Sequence, residues 1–354
     1  MKARIAAAVA AGACAVLTMT ATTASAADDV TAPVQVSADA GAFFRNAAGV
    51  TLKYEFKDPG TEEEPGSGLT DYDVRYQEKK LGEQEYGEWV QPAEWQKTTA
   101  TTVTHTAERG TETCFQVRAR DVAGNESAWS EYSACSVWDG TPPVYTGGYT
   151  SGRVSTDAFW RVWFHDDSAT DTTVDVAYRD LVPGKPRGPW VYPDNWHDQR
   201  RSDFFWDSVP GVDRCVSARG RDWAGNVSSW TPETCVLAPW DDRSFTTTGT
   251  VSRVLEPSSY RGTATTLKSN GAALVKTGEI GKQIALVATH GPGQGTVDVY
   301  HAGVKLGRVS LAASATEYKK VTYLPVGVQR TGEVRIVSVS TDPAVIDGVG
   351  VIKL

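Results

Sequence analysis

The sequence predicts an all-β protein, and three observations carry that prediction. Twelve Trp against two Met, with 33 Gly and 17 Pro, favour turn-rich sheet structure over helix bundles, where long unbranched side chains dominate. Short runs alternate apolar and polar residues, most clearly 52–56, 72–76 and 115–119, each with Gly, Pro, Asp or Ser close by, as in strands joined by turns. No stretch shows the apolar spacing of a convincing amphipathic helix. At 354 residues the chain is too long for one small module, since domains run to roughly 100–200 residues. Hydrophobic residues at 40% and charged residues at 22% exclude both a fully disordered chain and a multi-span membrane protein.

Residues 1–26 open with Lys2 and Arg4, continue through an apolar stretch at 5–17 and close on Ala24-Ser25-Ala26. This is the pattern of a secretory signal peptide, with the mature chain expected to begin at Ala27. No later apolar run is long enough to span a bilayer. A secreted, extracellular protein is therefore expected, either released or held at the cell surface only by its own contacts. Charge then divides unevenly: residues 27–242 carry 20 basic and 36 acidic side chains, whereas 243–354 carry 13 basic and 7 acidic. The basic tail reads as a separate unit, and such asymmetry points to partners of opposite sign.

An internal repeat organises the acidic part. Trp89-Val90-Gln91-Pro92-Ala93-Glu94-Trp95 returns 101 residues later as Trp190-Val191-Tyr192-Pro193-Asp194-Asn195-Trp196. The same interval relates Cys114 to Cys215, and Arg118-Ala119-Arg120-Asp121-Val122-Ala123-Gly124-Asn125 to Arg219-Gly220-Arg221-Asp222-Trp223-Ala224-Gly225-Asn226. The starts, Asp29-Val30-Thr31-Ala32-Pro33 and Asp139-Gly140-Thr141-Pro142-Pro143, agree at a larger displacement, so the second copy is shorter in an intervening loop. The expected division is a signal peptide at 1–26, repeat 1 at 27–139, repeat 2 at 140–242 and a basic C-terminal domain at 243–354.

Four cysteines remain beyond the signal peptide, and four allow three connectivities. Cys114 lies 21 residues before Cys135, and Cys215 lies 20 before Cys235, each interval centred on an Ala-Gly-Asn turn between strand-like segments. Folding about Gly124 or Gly225 brings the hairpin ends together, which pairs Cys114 with Cys135 and Cys215 with Cys235. Each disulfide would stabilise its domain by about 3 kcal/mol in the chain-entropy model. Thiolate metal binding needs clustered ligands, and the five His are scattered.

The segments 114–129 and 215–230 resemble fibronectin type III repeats of secreted bacterial proteins, in which a strand reading Cys-Phe-x-Val-Arg-Ala-Arg-Asp leads into Ala-Gly-Asn-x-Ser-x-Trp. The resemblance covers residues 28–240 and implies a seven-stranded β-sandwich in each copy. Two features depart from it. Many members of the wider family lack a disulfide, and the tyrosine often found beside this strand's first residues is replaced here by Thr113 and Arg214. The last part is similar to the C-terminal β domain that follows such repeats. Residues 295–300 and 303–307 predict a hairpin, and 334–339 and 345–351 read as closing strands. A jelly-roll-like β-sandwich is expected, a fold similar to many carbohydrate-binding modules. Its stacking candidates are only Phe245, Tyr260, Tyr300, Tyr318 and Tyr323, because every Trp falls between Trp89 and Trp240.

Trp89, Trp95, Trp190, Tyr192 and Trp196 are the candidate ligand-binding residues, able to present ring faces to sugars or peptide side chains. Their repetition equally fits core packing, since aromatic side chains bury roughly 150–250 Å² each. Tyr192 stands apart because Gln91 replaces it in the other copy. The acidic loop 58–68, with Glu62-Glu63-Glu64, and the segment His165-Asp166-Asp167 lie at matching places in the two repeats. Their spacing reproduces no recognised calcium loop. Asp121 and Asp222 read as turn residues whose carboxylates accept local backbone N–H bonds, so no metal site is expected. No nucleophile elbow, zinc-binding His pair, phosphate loop or dinucleotide fingerprint is present. The expected protein is thus a non-catalytic extracellular binding or cell-wall-associated protein without a cofactor. Its partner would be cell-wall polymer, polysaccharide or extracellular protein rather than nucleic acid. A carbohydrate-binding accessory protein associated with polysaccharide degradation is the second reading.

Overall fold

A computed structural model describes residues 29–60, 66–131, 134–168 and 171–353. The expected signal peptide lies outside the described residues. The fold is all-β, and the strict alternation of the strand Gly49–Lys57 shows why: Val50, Leu52, Tyr54 and Phe56 are buried, whereas the residues between them are exposed. Side chains of successive strand residues point to opposite faces, so such a segment buries one face and leaves the other in water.

In repeat 1 the strands Val34–Asp39, Gly49–Lys57 and Thr102–Thr106 form one antiparallel sheet. Phe44–Arg45, Ala134–Trp138, Thr111–Asp121 and Leu69–Lys80 form the other. Their inner faces meet over Leu52, Tyr54, Val74, Phe115 and Val117. This is the expected seven-stranded sandwich.

Repeat 2 has the same plan. Val144–Thr150, Phe159–His165 and Asp203–Phe205 make one sheet, and Thr173–Leu181, Asp213–Arg221 and Thr234–Leu237 make the other. Trp160, Val162, Phe204, Val216 and Ala218 fill the space between them. Among the described residues it has six strands rather than seven. The counterpart of the Phe44–Arg45 strand is reduced to one parallel bridge between Val154 and Leu237.

Cys114 stands opposite Cys135 in the strand register, and Cys215 opposite Cys235. Both pairs are disulfide-bonded, in the predicted connectivity. Between each pair the chain folds back along its own strand. Ser127 N–H donates to Ala119 O and Ser130 N–H to Val117 O, with Ser228 to Gly220 and Thr231 to Ala218 repeating the arrangement.

The C-terminal part is a two-sheet antiparallel sandwich. Val251–Leu255, Thr263–Leu267, Ala344–Ile352, Gln283–His290 and Glu317–Tyr323 run side by side in one sheet, and the short strand Trp240–Asp241 also pairs with Ala344–Ile352. Thr246–Thr248, Ala273–Gly281, Arg330–Ser338, Thr296–His301 and Val304–Ser310 form the second. The predicted hairpin is the pair Thr296–His301 and Val304–Ser310.

The contacts divide the chain into two compact units, the first ending at Trp138 and the second running from Asp139 to Leu354. Repeat 2 and the basic sandwich share the second unit because apolar side chains join them: Val154 and Leu237 of the repeat cluster with Ala285 and Ile352 of the sandwich. Val154 N–H also donates to the Tyr323 hydroxyl at 3.0 Å.

Candidate functional site

Of the five aromatic residues singled out from sequence, the two that close the repeated motif lie in the cores. Trp95 and Trp196 are 9% and 5% exposed. Each follows a Pro in a single 3₁₀ turn that drops its indole onto Tyr76 or Tyr178. Both are mainly core side chains, since hydrophobic burial claims the largest side chain of the motif, although Trp196 still lines a small pocket with Tyr192, His197 and Trp230. Trp89 and Trp190 are half-buried beneath arginines. The Arg75 guanidinium lies 4.3 Å from the Trp89 ring and 4.2 Å from that of Trp129, and Arg179 lies 4.6 Å from Trp190. These cation–π stacks occupy ring faces that stacking on a ligand would use. Tyr192 alone is open, 62% exposed, with its ring 5.7 Å from Trp230.

A different aromatic group emerges on the outer face of repeat 2. In the strand Phe159–His165, Trp160 and Val162 point inward, so Phe159, Arg161 and Trp163 point outward. Cross-strand pairing places Tyr149 opposite Arg161 and Phe205 opposite Phe159. The result is a row of rings, Trp163–Tyr149–Phe159–Phe205, with successive centroids 5.8, 5.8 and 5.7 Å apart. Tyr149, Trp163 and Phe205 are 47%, 42% and 66% exposed, large values for apolar side chains that gather in one patch. Gly147 sits opposite Trp163 in the register at φ 149°, so no side chain projects over the indole from that position.

Polar groups border the row. Arg161 forms a two-pronged ion pair with Asp203 and holds its guanidinium 5.7 Å from the Tyr149 ring. That pairing holds the Asp203 carboxyl below its usual range. At its other end the row reaches a cleft between repeat 2 and the basic sandwich, lined by Phe205, Trp206, Asp157, Asp207, Arg261 and Lys319 among others. The Trp206 ring also packs against the core of repeat 2, and its indole N–H is buried without an acceptor among the described residues. Apolar ring faces beside charges able to bond hydroxyls are chemistry that suits a sugar ring. One face of a pyranose presents C–H groups, and its edge presents hydroxyls.

Sequence reasoning missed this row. The signal was present in Phe159-Trp160-Arg161-Val162-Trp163-Phe164, but a run apolar at nearly every position hides which residues face out.

No family model and no curated protein match the chain. Among solved structures it is similar to a family 6 carbohydrate-binding module, at 10% identity over 32% of this chain and 92% of that one, with a TM-score of 0.25. It is also similar to the FN1–FN3 domains of chicken CNTN1, at 13% identity over 90% and 97% of the two chains, with a TM-score of 0.27. The chicken interferon gamma receptor alpha chain matches at 15% identity over 59% and 98%, with a TM-score of 0.21. Likeness this weak carries no activity or ligand from those proteins to this one.

Proposed function

We propose that this chain is a secreted, non-catalytic binding protein whose ligand is a polysaccharide, gripped by the aromatic row of repeat 2. One observation carries the reading. At the positions where repeat 2 has Tyr149, Phe159, Trp163 and Phe205, the register of repeat 1 has Asp39, Thr51, Glu55 and Thr104, all exposed. The sandwich therefore folds without aromatic residues on this face, and packing does not account for them.

Two disulfides fit an oxidising, extracellular setting, and no described helix is long and apolar enough to cross a membrane. In the basic sandwich, Lys305 and Arg308 both pair with Asp298, Lys276 with Glu279 and Lys320 with Glu317. Much of its positive charge is thus met internally, which favours aromatic stacking over electrostatic wall attachment as the main grip.

The test is a binding panel of insoluble polysaccharides, purified cell wall and extracellular protein. Trp163→Ala with Tyr149→Ala is expected to weaken glycan retention tenfold or more, given about 1.5–3 kcal/mol for each buried aromatic contact. Tyr192→Ala should leave it unchanged. Retention by the double variant equal to that of the parent chain would end this reading.

A further inference from the structure

The two repeats share a corner that neither folding nor the aromatic row explains. Three segments distant in sequence meet there: the approach to the first strand, the loop after Gly49–Lys57 or Phe159–His165, and the turn that follows Thr111–Asp121 or Asp213–Arg221. They bring together Asp29, Asp58 and Asp121 in repeat 1, and Asp139, Asp166 and Asp222 in repeat 2. In each trio, one oxygen from each carboxylate lies within 4.8 Å of the other two.

The carboxylates take up some donors locally. Asp29 accepts from Thr31 and from Ser67 N–H, and Asp58 from Gly68 N–H. Asp121 and Asp222 are fixed by the backbone N–H and side-chain amide of Asn125 and Asn226, and each of those amides also donates to the carbonyl of Asp29 or Asp139. Among the described residues, no Lys or Arg pairs with Asp29, Asp58, Asp121, Asp139 or Asp222.

One buried oxygen stands out. Asp139 is 1% exposed, its Oδ1 accepts from Thr141 N–H, and its buried Oδ2 meets no donor at full hydrogen-bond geometry among the described residues. The nearby Ser168 hydroxyl donates to Asp166 and also lies against Asp139, so one proton serves two carboxylates. A buried carboxylate oxygen facing two further carboxylates is costly unless a donor or a cation meets it. In repeat 1 the counterpart of Asp139, Asp29, accepts at both oxygens, and the buried oxygen without a donor among the described residues is Oδ1 of the half-buried Asp58.

We propose that each repeat binds one Ca²⁺ ion at this corner, through Asp29, Asp58 and Asp121 in the first and Asp139, Asp166 and Asp222 in the second. The donor set is all oxygen, which selects a hard cation over zinc or copper. Carboxylate oxygens within 4.8 Å of one another can reach one ion, and Ca²⁺ accepts irregular sets of protein oxygens at about 2.3–2.6 Å, whereas Mg²⁺ demands a near-ideal octahedron and keeps several waters. The ion would tie the strand entry to the loop and the turn. No contiguous calcium loop announces such a site, because its three ligands come from segments up to 92 residues apart in sequence.

The experiment is calcium titration of the full chelator-treated protein, read by calorimetry and by Tm. Two ions per chain are expected. At about 5 mM Ca²⁺, several-fold above the roughly 10⁻⁴–10⁻³ M dissociation constants of extracellular calcium modules, Tm should rise by roughly 5–10 °C. Asp222→Asn and Asp121→Asn should each remove one ion while leaving the Trp fluorescence spectrum of the folded protein in place. The parent chain is itself a test that no folding defect can confound. Absence of both heat and Tm change would overturn the proposal, as would an equal rise with Mg²⁺ or an unchanged stoichiometry in both variants.

Discussion

Repeat 1 and repeat 2 are built on one plan and decorated in opposite ways. Inside, the plan is held. Leu52 faces Val103 in the first, Trp160 faces Phe204 in the second, and all four are buried. The buried Asp73 with Arg118 and Arg120 in the first is matched by Asp175 with Arg219 and Arg221 in the second. Outside, Thr51 and Thr104 touch through their hydroxyls at 3.0 Å where Phe159 and Phe205 stack. A sheet face in water imposes little on residue choice, whereas the opposite face must fill a core. The difference between the repeats thus separates what the fold needs from what a ligand needs.

The largest expected effect breaks the shared interior. Trp160→Ala should cost about 3–5 kcal/mol and Leu52→Ala about 2–5 kcal/mol, as measured by denaturant unfolding. A loss under 1 kcal/mol at either position would mean that the two cores are not equivalent. Next comes the shared staple. Replacing Cys114 and Cys135 by Ser, or Cys215 and Cys235, removes loops of nearly equal length, so each change should cost about 3 kcal/mol and the two should agree.

A pH titration sets the repeats against the basic sandwich. Burial acts to raise Asp73 and Asp175, but Arg120 and Lys97 N–H in one case, and Asp198 N–H and Arg219 in the other, hold both below the usual carboxylate range. Their contribution is present above about pH 4 and is lost as acid protonates them. Asp347, fully buried beside Asp242 and Asp241, is pushed up to about 7, chiefly by its burial. Its folded form binds a proton that the unfolded form releases near pH 4. Stability should therefore fall as pH rises from about 4 to about 7, by a few kcal/mol. Asp347→Asn should remove that slope, measured as the difference in unfolding free energy between pH 5 and pH 8.

The smallest effect on stability sharpens the comparison most. Asp39→Tyr, Thr51→Phe, Glu55→Trp and Thr104→Phe together would give repeat 1 the outer face of repeat 2. Each should change stability by only about 0.5 kcal/mol, as surface substitutions usually do. The grafted chain should retain more polysaccharide than its parent; unchanged retention would show that the neighbouring cleft, absent from the graft, is needed as well.

Much of the fold was legible before the structure. The repeat, the strands and both disulfides follow from alternation, turn residues and spacing, because each is a short-range pattern written along the chain. Trp95 and Trp196 illustrate the limit. A repeated aromatic residue marks importance, but only packing reveals that these two are core side chains 9% and 5% exposed.

By itself the sequence determined an all-β chain, its duplicated plan, its staples and its uneven charge. The tertiary structure alone decided which face of the strand Phe159–His165 meets water, since five of the seven residues there are apolar or aromatic and alternation cannot be read from such a run. It alone decided that Asp139, Asp166 and Asp222 share a corner. Local sequence dictates backbone geometry within a few residues, whereas faces and corners are set by strand register and by chain closure across dozens of residues.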